Sequence, residues 1–386
     1  MSRNFGLDVL RCAAIVMVLV FHSYGMFQPY LDIVSYLVPL GIFGVELFFV
    51  LSGYLIGQIL LKSVVPNPSA TNIFIFYIRR WFRTLPAYYL MILILMVADH
   101  FQPSPYSCHW PFYVFWQNFT PQSIGWFGVS WSLAIEEWFY LLTPVLLCVA
   151  LPRNCGNDRI IKTLAAIIGT ILVLRMAYVA CFDPSWDFGT RKFVPLRFDS
   201  LLLGVLLAQV KLAKPRIYAL LCHKRVALAS IACLVIMGVY VVRADLDHSY
   251  FARTIFISLM SVCMAALLPY FELSDLINKK LAARKLVSGV ITKISLYSYI
   301  MYLIHAHAYL LFENNTTTFF GLMWRLAAAF ASVYVISAIV HVWFEKPIMD
   351  LRDKIQVFFV KEKPKENLGK GIPPPHFLKK QSAPVK

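Results

Sequence analysis

The sequence predicts an all-α polytopic membrane protein, a bundle of about ten transmembrane helices with both termini in the cytoplasm. Three observations carry this prediction. Of the 386 residues, 59% are hydrophobic and only 15% charged, and the mean hydropathy is +0.67, whereas soluble domains carry about 25% charged residues. Apolar stretches of span length recur in every third of the chain, which favours one helical bundle over several soluble domains. The basic residues are also divided unevenly between alternate connections.

Taken in order, the spans fall at 7–27, 41–61, 87–101, 130–151, 161–182, 196–213, 226–243, 253–271, 288–312 and 319–344. The first contains "LRCAAIVMVLVFH". A cleaved signal peptide ending near Ser23-Tyr-Gly25 is its rival, disfavoured because Arg11 and His22 bracket the apolar core. The aromatic stretch 108–128, "CHWPFYVFWQNFTPQSIGWFG", is broken by prolines and glycines. It is placed outside or re-entrant, because counting it as a span would put the basic loop 153–162 on the wrong side. With the N-terminus inside, the cytoplasm receives Lys62, Arg79, Arg80, Arg83, Arg153, Arg159, Lys162, Lys211, Lys214, Arg216, Lys224, Arg225, Lys279, Lys280, Arg284 and Lys285, while the outer loops hold mainly Arg191, Lys192, Arg243 and Arg253. This distribution and an anionic inner leaflet account for the net charge of +16 without a nucleic-acid partner. Residues 1–350 thus form the transmembrane domain. The lysine- and proline-rich residues 351–386 read as a disordered cytoplasmic tail. The eight cysteines contain no CxxC, and most lie within spans, so no metal site is expected. Only Cys108 and Cys181 both fall near the outer face, where a disulfide is open to them.

Ionisable residues inside spans are costly unless they face protein or water, so they map the interior. Arg11 and His22 lie eleven positions apart, three turns plus about 20°, and so share one helical face roughly 16 Å apart. Ser132, Glu136, Tyr140 and Thr143 make one polar stripe, with Glu137 peripheral or packed against a neighbour. Ser295, Ser298, Tyr302 and His305 make a second. Glu46 opens a span in which Ser52, Gly53 and Gly57 permit close helix approach. Its carboxylate needs a partner, and His22 is available if the first two spans form a hairpin. Arg79, Arg80 and Arg83 cluster at the cytoplasmic edge, with Pro86 then re-orienting the chain. Guanidinium forks suit phosphates, although ordinary positive-inside anchoring reads equally well. Arg197, at an outer boundary, is an interfacial anchor or a hydrogen-bond donor to a sugar or oxyanion. His305 reads equally as a satisfied bundle histidine and as a catalytic one.

Arg11 and His22 with ten residues between, "GVELFFVLSGYLI", "RRWFRTLP", "SWSLAIEEWFYLL", "RFDSLLLGVLLA", "SYIMYLIH" and "FEKP" occur in this order. Together they resemble acyltransferase family 3, the inner-membrane enzymes that O-acetylate surface polysaccharides, from residue 5 to about 350. The resemblance implies a ten-helix, multi-pass inner-membrane domain. It would move an acyl group, usually acetyl, from cytoplasmic acyl-CoA to a hydroxyl of a glycan beyond the membrane, such as lipopolysaccharide O-antigen. Acetyl-CoA would be a passing donor rather than a resident cofactor. By that similarity His22 is catalytic with Arg11 as its motif partner, and Arg80 and Arg83 hold the CoA phosphates. Some relatives append an extracytoplasmic hydrolase-like domain. This chain is expected to lack one, and so to acylate its acceptor alone or to hand the group to a separate protein.

Acyl transfer needs a base near the attacking oxygen, donors for the oxyanion and an oriented, dry site. The expected catalytic set is His22, Arg11, Glu136, Glu46 and His305. The expected donor contacts are Arg80, Arg83, Arg79 and Arg11, and the expected acceptor contacts Arg197 and Tyr302. A secondary transporter with a His/Glu proton relay is the rival class, weakened because no second copy of the Arg-x10-His span exists. Lipid-linked or small-molecule acceptors also remain open.

Overall fold

A computed structural model describes residues 3–101, 109–119, 125–153, 155–312 and 318–361. Ten long helices run where the ten spans are predicted: α1 (Phe5–His22), α2 (Leu31–Ile59), α3 (Ala70–Phe101), α4 (Trp131–Ala150), α5 (Asn157–Phe182), α6 (Phe198–Ala213), α7 (Lys224–Arg243), α8 (Ile257–Leu273), α9 (Lys285–Leu310) and α10 (Phe319–Val340), followed by α11 (Lys346–Lys361). Among the described residues there is no strand. Nine helical stretches among the described residues are long and apolar enough to cross a membrane. The tenth, α6, has 16 residues. At 1.5 Å per residue it spans about 24 Å, short of a bilayer core of about 30 Å. This is a multi-pass membrane protein.

The short helix α6 sits at the centre, with Asp199, Ser200, Leu201, Leu202, Gly204, Val205, Leu207, Ala208 and Gln209 all buried. It packs most extensively on α2, which packs in turn on α1. The α2–α6 seam is set by two glycines. A Cβ on Gly53 would stand 1.9 Å from the Leu201 carbonyl oxygen, and one on Gly204 would stand 2.3 Å from that of Val50. No side chain fits there, so the two backbones touch, as small residues allow between membrane helices. Helix α1 begins where the Asn4 side chain accepts the Leu7 N–H at 3.1 Å, an ordinary N-cap. Asp8 in its first turn accepts from Arg3 Nε at 2.5 Å and Ser295 Oγ at 2.8 Å, tying α1 to α9.

Two boundaries differ from expectation. Helix α3 begins at Ala70 and runs through Pro86, so the arginine cluster rides on the helix instead of preceding a re-oriented span. Helix α11 continues to Lys361 and packs on α3, across the first part of the segment whose composition predicts an unstructured tail. Residues 362–386 and Cys108, whose pairing with Cys181 the sequence leaves open, lie outside the described residues.

Candidate active site

Two cavities occupy opposite ends of the α1 helix. The first, of about 580 Å³, lies towards its N-terminal end and is lined by Arg11, Arg79, Arg80, Arg83 and Arg352, with Ser52, Glu136, Asp353, Tyr299 and Tyr302. Five guanidinium groups face the carboxylates of Glu136 and Asp353, and Asp8 stands 3.8 Å from Arg11 behind the wall, which still leaves an excess of positive charge that suits a polyanion. The helical period of α3 brings Arg79, Arg80 and Arg83 to this wall, and α4 presents Glu136 opposite. Arg80 Nη2 donates to Tyr140 Oη at 2.7 Å and stands 3.4 Å from Glu136 Oε2, with its guanidinium 4.1 Å over the Tyr140 ring. Glu136 also accepts from Ser52 Oγ at 2.9 Å and from Tyr140 Oη at 3.0 Å. The carboxylate thereby fixes one arginine without cancelling the cluster. Arg80 Nε, buried, has no hydrogen-bond partner among the described residues. Arg352 was missed because it belongs to the segment read as tail.

The second cavity, of about 700 Å³, is lined by His22, Trp126, Trp131, Trp186, Asp187, Arg191, Lys192, Tyr302 and His307. His22 ends α1, and its Nδ1 lies 3.0 Å from the Val18 carbonyl oxygen. A carbonyl only accepts, so Nδ1 carries the proton of the neutral ring and Nε2 keeps a lone pair. His305 repeats the arrangement, with Nδ1 at 3.2 and 2.7 Å from the carbonyls of Met301 and Tyr302. Its Nε2 is buried without a partner among the described residues. The two imidazoles meet edge to face, centroids 4.7 Å apart. Asp187, in the loop before α6, accepts from Arg191 Nε at 2.7 Å and Lys192 Nζ at 2.5 Å. Burial opposes ionisation of this carboxyl, but the two cations hold it below the usual carboxylate range. The Arg191 guanidinium lies 4.6 Å over Trp131 and 5.3 Å over Trp186. The signal for this loop was present in the sequence: an adjacent Arg-Lys pair on the face otherwise poor in cations, beside Trp186 and Asp187.

The cavities abut. Val45 and Tyr302 line both, so the side chain expected to contact the acceptor stands at the junction.

Two expected site residues are elsewhere. Glu46 does not pair with His22. It bonds Arg197 and accepts from Ser200 Oγ at 3.0 Å and Ser261 Oγ at 3.1 Å. Arg197 is neither interfacial nor on the wall of either cavity. It is fully buried, donates from Nε to the Arg191 carbonyl at 2.9 Å and lies 3.6 Å from Asp199, which holds Arg175 at 2.7 Å. The reason is electrostatic: Glu46 on α2, Arg175 on α5, and Arg197 and Asp199 at the start of α6 are buried together, two charges of each sign that neutralise one another. Opposite charges within the spans 161–182 and 196–213 gave notice of this network. Glu137, the neighbour of Glu136, is buried and faces a separate groove with Trp81, Tyr89, Tyr113 and Trp138.

The family model described as "Acyltransferase domain" matches residues 4–342. The chain is similar to the peptidoglycan O-acetyltransferase OatA of Listeria monocytogenes, 31% identical over 208 residues, 48% of this chain and 31% of that protein. It is 29% identical over 290 residues to the putative peptidoglycan O-acetyltransferase YrhL of Bacillus subtilis, 68% of this chain and 42% of that protein. It is also 29% identical over 220 residues to the O-acetyltransferase OatA of Staphylococcus aureus, 53% of this chain and 34% of that protein. The matches thus span less than half the length of these relatives. No solved structure gives a significant match.

Proposed function

The chain belongs to the acyltransferase family, and on that premise we propose that it moves an acyl group, acetyl above all, from acyl-CoA in the arginine cavity to a glycan hydroxyl in the histidine cavity. The observation that carries this reading is the meeting of a five-arginine cavity with a histidine-bearing cavity across one layer of side chains. The arginines match the phosphates of a CoA head group, and guanidinium forks bind phosphate oxygens bidentately. The three tryptophans offer faces for sugar rings. His22 Nε2 accepts the proton of the acceptor hydroxyl as its oxygen attacks the thioester carbonyl carbon. The carbon–sulfur bond breaks, and the imidazolium returns the proton to the departing thiolate. His305 packs edge to face against His22 and keeps the ring in place.

In this reading the arginine cavity and both termini face the cytoplasm and the histidine cavity the far side of the plasma membrane, an orientation supported by the positive-inside bias of the connections. The acceptor is then an extracytoplasmic glycan, peptidoglycan or lipopolysaccharide O-antigen, reached directly or through a separate acyl-accepting protein. The test uses purified protein in detergent. Acyl-CoA should raise the thermal midpoint, free sugar alone should not, and Arg80→Ala with Arg83→Ala should abolish the shift. An absent shift at saturating acyl-CoA, or one that survives both substitutions, would remove the donor assignment. Mass spectrometry of surface glycans from cells with and without the gene then identifies the acceptor.

A further inference from the structure

We propose that Tyr302 is the positioning residue of the transfer step, a partition that screens the thioester from the histidine cavity until the acceptor hydroxyl is seated there, while it orients the His22–His305 pair. The inference rests on the acyltransfer reading above. Three functions of this residue converge. Its ring, 6% exposed, forms with Val45 the wall shared by both cavities. Its hydroxyl is held at two points near the start of α4, donating to the Val129 carbonyl at 2.9 Å and lying 2.7 Å from Ser132 Oγ. Its own carbonyl accepts from His305 Nδ1 at 2.7 Å, fixing the imidazole that packs on His22. Ser132 stands one helical turn before Glu136, the anchor of Arg80. The partition is therefore fastened to the helix that organises the donor cavity.

The chemistry requires such a wall. Where a thioester meets both a basic imidazole and water, the water oxygen attacks the carbonyl carbon, the carbon–sulfur bond breaks, and the acyl group leaves as a carboxylic acid beside the free thiol. Excluding water until the acceptor hydroxyl is in place prevents that loss.

The test is accessibility. In full-length protein with its native cysteines replaced, Ala306→Cys puts a thiol on the histidine-cavity wall. A small charged methanethiosulfonate is then applied to membrane vesicles of either orientation. With Tyr302 intact, labelling should occur only from the histidine-cavity face. Tyr302→Ala should admit the reagent from the arginine face, its rate rising about tenfold or more, with Tyr302→Phe between the two. Val45→Ala thins the same wall without touching a hydrogen bond and should open it too, which keeps the test decisive if Tyr302→Ala fails to fold. Equal labelling from both faces in the parent, or an unchanged arginine-face rate in the folded variants, overturns the proposal. Acyl-CoA hydrolysis without acceptor, measured in parallel, should rise in Tyr302→Ala. If no variant hydrolyses or binds acyl-CoA, the donor reading fails while the labelling pattern still judges the partition.

Discussion

Glu46 and Glu136 are the same residue type on neighbouring helices, 1% and 8% exposed, yet they sit in opposite kinds of surroundings. Glu46 meets Arg197, Ser200 and Ser261, and its network opens onto neither cavity. Glu136 meets Arg80, Tyr140 and Ser52 on a cavity wall where guanidinium groups outnumber carboxylates. Burial of a charge therefore does not separate a staple from a binding site. What separates them is whether the local charges balance without a ligand.

The largest expected effect breaks the balanced region. Glu46→Ala leaves Arg197 buried without its main counter-charge, and loss of one partner of a buried pair costs about 3–5 kcal/mol. The protein should fail to fold or show a strongly lowered thermal midpoint, partly recovered when Arg197→Met removes the stranded cation. An unchanged midpoint for Glu46→Ala would erase the distinction. Next, His22→Ala should cut transfer by about 10²–10⁴-fold, the usual worth of a positioned base. The acyl-CoA-induced stabilisation should persist, since His22 does not line the donor cavity; its loss would merge the two cavities into one functional unit. Arg80→Gln should weaken donor binding by about 1.5–3 kcal/mol, the range for a hydrogen bond to a charged group, at a smaller cost in stability than Glu46→Ala, because Glu136 keeps its bonds from Ser52 and Tyr140. Isothermal titration with acyl-CoA reads the first effect and thermal melting the second. A variant that loses stability but keeps donor affinity would make Glu136 a staple as well.

The smallest effect is pH-dependent. Because Arg191 and Lys192 lower the Asp187 carboxyl in the folded state, its stabilisation is present above the ordinary carboxylate value and is lost as the pH falls through the depressed one. Asp187→Asn should lower the thermal midpoint slightly at neutral pH. The gap from the parent should close only below about pH 4, where the unfolded carboxyl protonates. A gap that widens on acidification would contradict the ion-pair assignment.

Much of this arrangement was legible in the sequence. The spacing Ser132-Glu136-Tyr140 puts three polar groups on one face of a helix, and lipid excludes them from the outside, so an inward face for Glu136 follows from period and solvent alone. The same holds for Ser298, Tyr302 and His305. Partner choice was not legible. Periodicity says which way Glu46 points along α2 but not which helix stands there, and Arg197 is 151 residues away in the chain. Arg352 was hidden for a different reason. Lysine- and proline-rich composition describes the end of its segment, whereas the turns nearest α10 are amphipathic and dock on α3.

Contact between the main chains at Gly53 and Gly204 has a mechanical consequence. Two rods whose main chains meet along a seam that admits no methyl group leave no room for a side chain at either glycine, so Gly53→Ala or Gly204→Ala would push α6 off α2. The cavity walls, by contrast, are built in large part from side chains of α4, α9 and the segment 186–192. Substitutions there change the lining of a cavity and leave the backbone contact of α2 with α6 in place.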